Sequence, residues 1–442
     1  MKHIQLSDHF KISTILLFSL PSIGMQLVDN TYQVADGYFI SNYISSSAFA
    51  AENLIFPPLA LFAGIGLMFG SGATAFISNA LGKGDKERAN KLLTFTTLTL
   101  AILGIILSTG LFIFMPLIAR FVGADESLIP HCVEYGRILA ACMPFQMLSS
   151  AFHPLLITAE RPSMGLITSI VNACVNILLD WFMVAVISWG LTGAALATGL
   201  AWAVSAIIPI IFFMNKERTL HFSWPHWDGI ALLRTCYNGS SEMVDAISYA
   251  IVAMLFNFEL IHYAGENGVA SYAVSEYVTG FLAAIFYGIS MSITPVVGYN
   301  SGRKDKTELR SILKNGFIVT GGLGILMSVL GIVFAEQIAE IFVGYDSELM
   351  KMSVHALRIV SLSFILVGIT TFSSAFFTGM EEGTASLIVA SVKSFIMPLI
   401  LVILLPLILG TDGIWLVTTC SEVIALVVAV LFFLRYKSQN LI

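Results

Sequence analysis

Carboxylates inside apolar stretches are the side chains of this sequence best suited to chemistry. Asp36 lies deep in the first apolar stretch, with Gln33 one helical turn away and Asp29 two turns earlier on the same face. Charges in hydrocarbon are costly, so they are usually functional or paired. We therefore expect Asp36 to bind and release a proton or Na⁺. Asp29 fits this role and a hydrogen-bonded packing role equally well.

A second polar face lies further along the sequence. Asn176 and Asp180 are four residues apart, as are Ala194 and Thr198, so each pair shares one face of a helix. Hard cations bind several oxygen ligands, which carboxylate, amide, hydroxyl and backbone carbonyl groups provide. Asn and Thr on apolar helices also serve simply as hydrogen-bonding partners between helices. Their coincidence with intramembrane aspartates favours a cation site.

The stretches that position these residues are long and apolar. Hydrophobic residues make up 57% of the 442 residues and charged residues only 11%, too few to cover a water-soluble protein of this size. Alternating strand patterns are absent, and roughly 20 residues cross the hydrocarbon as a helix. We predict an all-α integral membrane protein with about 12 transmembrane helices. The predicted spans are residues 13–40, 52–81, 92–119, 131–156, 163–187, 191–214, 237–262, 269–299, 312–335, 352–378, 384–409 and 412–435.

The sequence also contains an internal repeat. Gly82–Lys86 reappears as Gly302–Lys306, and Ile118–Ile129 reappears as Ile338–Met350, with displacements of 220 or 221 positions. Each half holds six predicted spans, and because six is even, both halves enter the membrane in the same orientation. We predict two homologous six-helix bundles related as a parallel repeat.

A long polar connection in the middle of the chain separates the halves. We predict an N-terminal bundle at residues 1–218, a cytoplasmic linker at 219–233 and a C-terminal bundle at 234–442. Lys and Arg concentrate in alternate loops, such as Lys83–Lys91 and Arg303–Lys314, and are rare in the opposite loops. Both termini are therefore predicted to be cytoplasmic.

The second half does not repeat the charges of the first. Asn257 stands where Asp36 would be repeated, and Lys393 stands where Asn172 would be. The further candidates for a substrate cavity or a second ion-coupled site are Asp29, Gln33, Glu242, Asp245, Glu276, Lys393 and Glu422. The alternative is structural pairing, for example of Glu242 with Lys393.

Six segments distributed over essentially the whole chain resemble the multidrug and toxic compound extrusion (MATE) family. They are Met25–Ile40, Gly82–Asp85, Asn176–Asp180, Gly193–Thr198, Gly239–Glu242 and Gly413–Trp415. The tenth span carries no Asp or Glu, and the intramembrane acids gather in the first half, which resembles the bacterial DinF-like branch. The resemblance implies a site for H⁺ or Na⁺ in the first bundle, formed by Asp36, Asn176, Asp180, the Ala194 carbonyl and Thr198.

The resemblance further implies an antiporter of the bacterial cytoplasmic membrane that exports amphipathic, often cationic compounds by alternating access. No P-loop, HExxH or nucleophile-elbow motif occurs, so we predict no enzyme, no cofactor beyond the coupling ion and no nucleic-acid partner. The expected partners are small amphipathic molecules and membrane lipids, and the chain is expected to act as a monomer. The alternatives are a lipid-linked oligosaccharide flippase, which usually has a more basic cavity, and a membrane receptor or scaffold, which needs longer loops.

Overall fold

A computed structural model describes residues 4–225 and 227–439, and this part of the chain is helical with no strand. His226, within the predicted linker, lies outside the described residues. The helices of the first half are α1 Ile12–Tyr43, α2 Ser46–Gly82, α3 Lys86–Phe121, α4 Ile129–Thr158, α5 Pro162–Asp180, α6 Gly190–Met214 and α7 Gly229–Asn238. Those of the second half are α8 Ser240–Arg303, α9 Lys306–Val333, α10 Ala335–Val343, α11 Ser347–Val360, α12 Phe364–Gly379, α13 Gly383–Ala390, α14 Met397–Leu409 and α15 Thr411–Ser438.

Short turns of other helical types extend or join these helices. The π-helical turn Trp181–Val186 continues α5, and the π-helical turn Ser391–Ile396 joins α13 to α14. The 3₁₀ turn Ser361–Ser363 joins α11 to α12. The α11–α12 and α13–α14 pairs therefore each run as one continuous apolar span.

Within the described residues, 11 helices are long and apolar enough to cross a membrane. One of them is the 64-residue α8, which is interrupted at Gly265, where φ is 63° and ψ is −157°. This backbone conformation is essentially restricted to glycine, so the helix divides there. Each part is longer than the roughly 20 residues that a span needs. The division gives the predicted twelve spans and confirms the all-α membrane fold.

The internal repeat is also visible in the backbone. The Asp85 side chain accepts a hydrogen bond from the N–H of Arg88 at 3.0 Å, and Asp305 accepts one from Glu308 at 3.0 Å. Both aspartates thereby cap the helix that follows them. Left-handed backbone positions recur in pairs at displacements of 220 or 221, at Gly84 and Lys304, Glu160 and Glu381, and Gly190 and Gly410. The two halves therefore share turns and caps as well as helices.

Contacts divide the chain into two units, and the division differs from the predicted domains at the N-terminus. Gly24–Gly239 form the N-terminal unit, whereas the residues up to Ile23 belong with those from Ser240 onward, in the C-terminal unit. Phe10 shows why, because its ring is fully buried and its N–H donates to Glu308 Oε1 at 2.8 Å. Such contacts between residues far apart in sequence leave no local pattern. The bundle boundaries at 218 and 234 remain a prediction.

The short helix α7 packs within the N-terminal unit. Asp228 begins it, with its carboxylate accepting hydrogen bonds from the N–H groups of Ile230 and Ala231. Gly72 of α2 approaches α7 so closely that an added Cβ would lie 2.1 Å from the carbonyl oxygen of Thr235. Residues 234–239, assigned from sequence to the C-terminal bundle, thus lie against α2.

Each unit has its own buried core. In the N-terminal unit, α4 packs against α2, α3 and α6, and α5 packs against α6. In the C-terminal unit, α12 packs against α8, α9 and α15. The candidate site residues lie on helices α1, α5 and α6 in the first half, and on α8, α15 and the π-helical turn Ser391–Ile396 in the second.

Candidate cation-binding site

Three helices of the N-terminal unit bring the predicted cation-site residues together. Asp36 comes from α1, Asn176 and Asp180 come from α5, and Thr198 comes from α6. The Thr198 hydroxyl donates to Asp36 Oδ2 at 3.4 Å and accepts a hydrogen bond from Asn176 Nδ2 at 3.2 Å. One chain of polar contacts therefore links all three helices at this point.

Burial makes this cluster unusual. Asp36 is 6% exposed, Thr198 is 5% exposed, and Asn176 and Asp180 are fully buried. Buried polar atoms in proteins almost always have a hydrogen-bond partner. Here Asp36 Oδ1, Asn176 Oδ1 and both carboxylate oxygens of Asp180 have none among the described residues. These four oxygens are of the kind that a hard cation or a bound proton would satisfy.

The two carboxylates are also electrostatic neighbours. Asp36 and Asp180 act on each other, and neither forms an ion pair with a basic side chain within the described residues. Two uncompensated negative charges in a low-dielectric interior are strongly unfavourable. A cation or a proton held between the carboxylates would relieve this repulsion.

The Ala194 carbonyl is the remaining member of the predicted set of cation ligands. Ala194 is fully buried and lies one turn before Thr198 on α6. The role of its carbonyl oxygen as a cation ligand remains a prediction. In the described part of the chain, no group of three His, Cys, Asp or Glu side chains is arranged to hold a metal ion. A cation at this cluster would therefore depend on two carboxylates supplemented by neutral oxygens.

Two residues beside the cluster were not among the predicted site residues. Glu52 of α2 acts electrostatically on Asp36 and Asp180, and its Oε2 is buried without a hydrogen-bond partner in the described chain. Tyr135 of α4 is 3% exposed and feels the charges of the same carboxylates. A glutamate near the start of a helix is ordinarily a favourable N-terminal charge. Its position in sequence therefore does not reveal this proximity.

Asp29 and Gln33, on the same helix as Asp36, lie in different surroundings. Asp29 Oδ2 lies 3.8 Å from His153 Nδ1 of α4, close enough for an ion pair when the imidazole is protonated. This contact favours the packing interpretation for Asp29. Gln33 is exposed and does not join the buried cluster.

The C-terminal unit holds a separate cluster around Lys393. The Lys393 ammonium donates to Thr371 Oγ1 at 3.1 Å and lies 3.9 Å from Asp245 Oδ2. The sequence had suggested Glu242 as its ion-pair partner. Asp245, three residues further along α8, lies within ion-pair distance of Lys393, and the pairing of Glu242 with Lys393 remains a prediction.

Two other acids near Lys393 accept hydrogen bonds from hydroxyl groups. Tyr287 donates to Glu242 Oε2 at 2.6 Å, and Thr370 donates to Glu422 Oε2. Glu242 and Glu422 both act electrostatically on Lys393. Four of the five charged candidates of this half therefore form one interacting cluster, namely Glu242, Asp245, Lys393 and Glu422. Glu276 lies apart and interacts with tyrosines of α8.

Twelve apolar spans in two repeated halves, with buried carboxylates inside the spans, are the features of a multi-pass membrane transporter. The family model described as MatE matches residues 21–182 and 243–404, once in each half. The chain belongs to the MatE family. The double match confirms both the predicted family and the internal repeat.

Known relatives extend over nearly the full chain. The multidrug export protein MepA of Staphylococcus haemolyticus is 24% identical over 425 residues, covering 96% of this chain and 93% of the relative. A solved outward-facing conformation of a multidrug resistance MATE family transporter of the MOP superfamily superposes with a TM-score of 0.91 at 21% identity, covering 100% of this chain and 99% of the other. A MATE structure in the straight conformation gives a TM-score of 0.91 at 22% identity, with the same coverage. These structures establish the fold, while the DinF-like branch remains a prediction.

Proposed function

We propose that this protein exports small amphipathic, often cationic compounds across the bacterial cytoplasmic membrane in exchange for H⁺ or Na⁺. Membership of the MatE family supports transport, and the relatives named as multidrug export proteins support this substrate class. The observation that carries ion coupling is the buried pair Asp36 and Asp180, which has unpartnered oxygens and no basic partner among the described residues.

In this proposal Asp36 and Asp180 supply the negative charge that binds the coupling ion. The neutral oxygens come from Asn176, Thr198 and the Ala194 carbonyl. A proton would bind one carboxylate directly, and Na⁺ would take the unpartnered oxygens as ligands. Because the ligands lie on three helices, occupation of the site alters the contacts between those helices. Ion binding can then favour one conformation over another, which alternating access requires.

The substrate would bind among the charged residues outside this cluster. Glu242, Asp245 and Glu422 outnumber Lys393, and this excess of negative charge suits a cationic compound. Membrane lipids surround the spans, both termini face the cytoplasm, and the chain works as a monomer. These assignments follow from the distribution of Lys and Arg in the loops and from a site contained within one chain.

Transport by the purified protein tests the proposal. Proteoliposomes without ATP would receive an imposed pH gradient or Na⁺ gradient, and movement of a fluorescent organic cation would be followed. We expect exchange with at least one of the two gradients. A folded protein that moves the cation with neither gradient would refute antiport, and movement of a lipid-linked oligosaccharide probe instead would support the flippase alternative.

A further inference from the structure

Lys393 occupies an unusual place in the C-terminal unit. It lies in the π-helical turn Ser391–Ile396, which packs against α8 and α15. π-Helical turns within α-helices occur frequently at functional sites. Its side chain is only 10% exposed. A buried ammonium inside an apolar span is costly unless other groups compensate it, so its surroundings require an explanation.

Those surroundings are carboxylates contributed by two helices. Asp245 of α8 lies 3.9 Å from the ammonium, and Thr371 of α12 accepts its hydrogen bond at 3.1 Å. Glu242 of α8 and Glu422 of α15 also attract it electrostatically. The ammonium therefore lies where a free cation would be attracted. The Asp245 side chain is 35% exposed, so the position is not sealed from its environment.

The repeat shows that this arrangement is not a copy of the first site. At displacements of 221 or 222, the residues equivalent to Asp36 are Asn257 or Phe258, and those equivalent to Asp180 are Leu401 or Val402. None of these four residues is acidic. The same displacements relate Lys393 to Asn172 or Val171, and neither is charged. The N-terminal unit thus has a pair of buried carboxylates without an ammonium group, whereas the C-terminal unit has carboxylates around the ammonium group of Lys393.

We propose that the Lys393 ammonium is a tethered cation that fills, beside Asp245, the position that a mobile cation would otherwise occupy. The coupling ion then binds only in the N-terminal unit. An ammonium attached to the backbone cannot be released to either side of the membrane. The charge of Asp245 therefore stays compensated throughout transport, whereas Asp36 and Asp180 exchange their cation. This inference rests on the proposed function for its assignment of the coupling site.

Counting bound cations tests the inference. The protein in nanodiscs would carry Asp36→Asn, which removes the proposed first site, and Lys393 would be replaced by Gln or Arg in this background. Binding of radioactive Na⁺ would be measured by equilibrium dialysis, and bound protons by difference titration of the Gln variant against the Arg variant. We expect one additional cation, Na⁺ or a proton, per protein with Lys393→Gln. With Lys393→Arg, which keeps a tethered charge, we expect none.

Two double substitutions keep the test decisive if Lys393→Gln alone does not fold. Lys393→Gln with Glu422→Gln removes one positive and one negative charge, so the cluster keeps its formal charge but loses the ammonium. We expect this variant still to bind the additional cation, because the position beside Asp245 is vacant. Lys393→Gln with Asp245→Asn lacks the carboxylate and is expected to bind none.

The outcomes separate this inference from the proposed function. If neither folded Lys393→Gln variant binds an additional Na⁺ or proton, the tethered-cation role is wrong. If Asp36→Asn leaves both transport and ion binding of the otherwise native protein unchanged, the proposed coupling site is wrong. In that case the number of cations bound by the Lys393→Gln and Lys393→Arg variants can still be compared, because both variants carry the same Asp36→Asn background.

Discussion

Replacement of Asp36 by Asn gives the sharpest test of the coupling site. The amide preserves the shape of the side chain, and its oxygen can still accept the hydrogen bond that Thr198 donates at 3.4 Å. The change removes a negative charge from a residue that is only 6% exposed. It also leaves Asp180 as the one carboxylate of the central pair. The perturbation is therefore mainly electrostatic.

The expected magnitude follows from this burial. A carboxylate about 4 Å from a monovalent cation contributes roughly 4 kcal/mol at the effective dielectric of about 20 that describes such sites. Because each 1.4 kcal/mol is about a tenfold change, cation affinity should fall by roughly a thousandfold. Gradient-driven efflux should then fall to the background of empty vesicles. The fold should persist, since the substitution removes a buried charge that had no basic partner.

The assay is efflux of a fluorescent cation, normalised to the amount of protein in the membrane, with thermal unfolding measured in parallel. Asp29→Asn is a matched control, because it makes the same chemical change two turns earlier on α1. Asp29 has His153 as a partner at 3.8 Å, so we expect its replacement to reduce efflux much less. Normal efflux by Asp36→Asn would show that the coupling ion binds elsewhere.

Three further outcomes are expected from the same structure. Asp180→Asn should be as damaging as Asp36→Asn, and Asn176→Ala should be intermediate. Thr198→Ala should be mild because a water can replace its neutral oxygen, and Glu422→Gln should be mild because Glu422 lies outside the proposed cation site. An efflux assay giving the reverse order would contradict the ligand assignment. Cysteines placed at Lys86 and Lys306 should react with an impermeant reagent only from the cytoplasmic side, and labelling from outside would overturn the topology. Asp85→Ala and Asp305→Ala should each cost about 1 kcal/mol of stability by loss of an N-cap, and unequal losses in thermal unfolding would show that the repeat-related caps are not equivalent.

The fold was predictable because its determinants are local in sequence. The spans are long apolar runs, and the repeat preserves short motifs such as Gly82–Lys86, whose Asp85 cap recurs at Asp305. The division at Gly265 was also accessible, since the sequence placed two spans within what is one continuous run of helical residues. Local patterns of length, apolarity and capping suffice for these features.

The site was predictable only where spacing within a helix determines it. Asn176 and Asp180 share a face because they are four residues apart, but their meeting with Asp36 depended on family resemblance. Interactions such as that of Glu52 with Asp180, or of Asp245 with Lys393, join helices far apart in sequence. Helical periodicity states which face a residue occupies and not which helix lies opposite. The contacts of the N-terminal segment leave no pattern in the sequence for the same reason, because Phe10 contacts Glu308 of α9.

Helix α1 offers a physical link between ion exchange and conformational change. It is continuous from Ile12 to Tyr43, yet its residues up to Ile23 belong to one contact unit and those from Gly24 onward, including Asp36, to the other. Pro21 lies two residues before that division and cannot donate the backbone hydrogen bond expected in a helix interior, so the helix is weakest there. If Asp36 binds the coupling ion as proposed, uptake or release of the ion changes the forces on the second part of this helix, and bending near Pro21 is the least costly response.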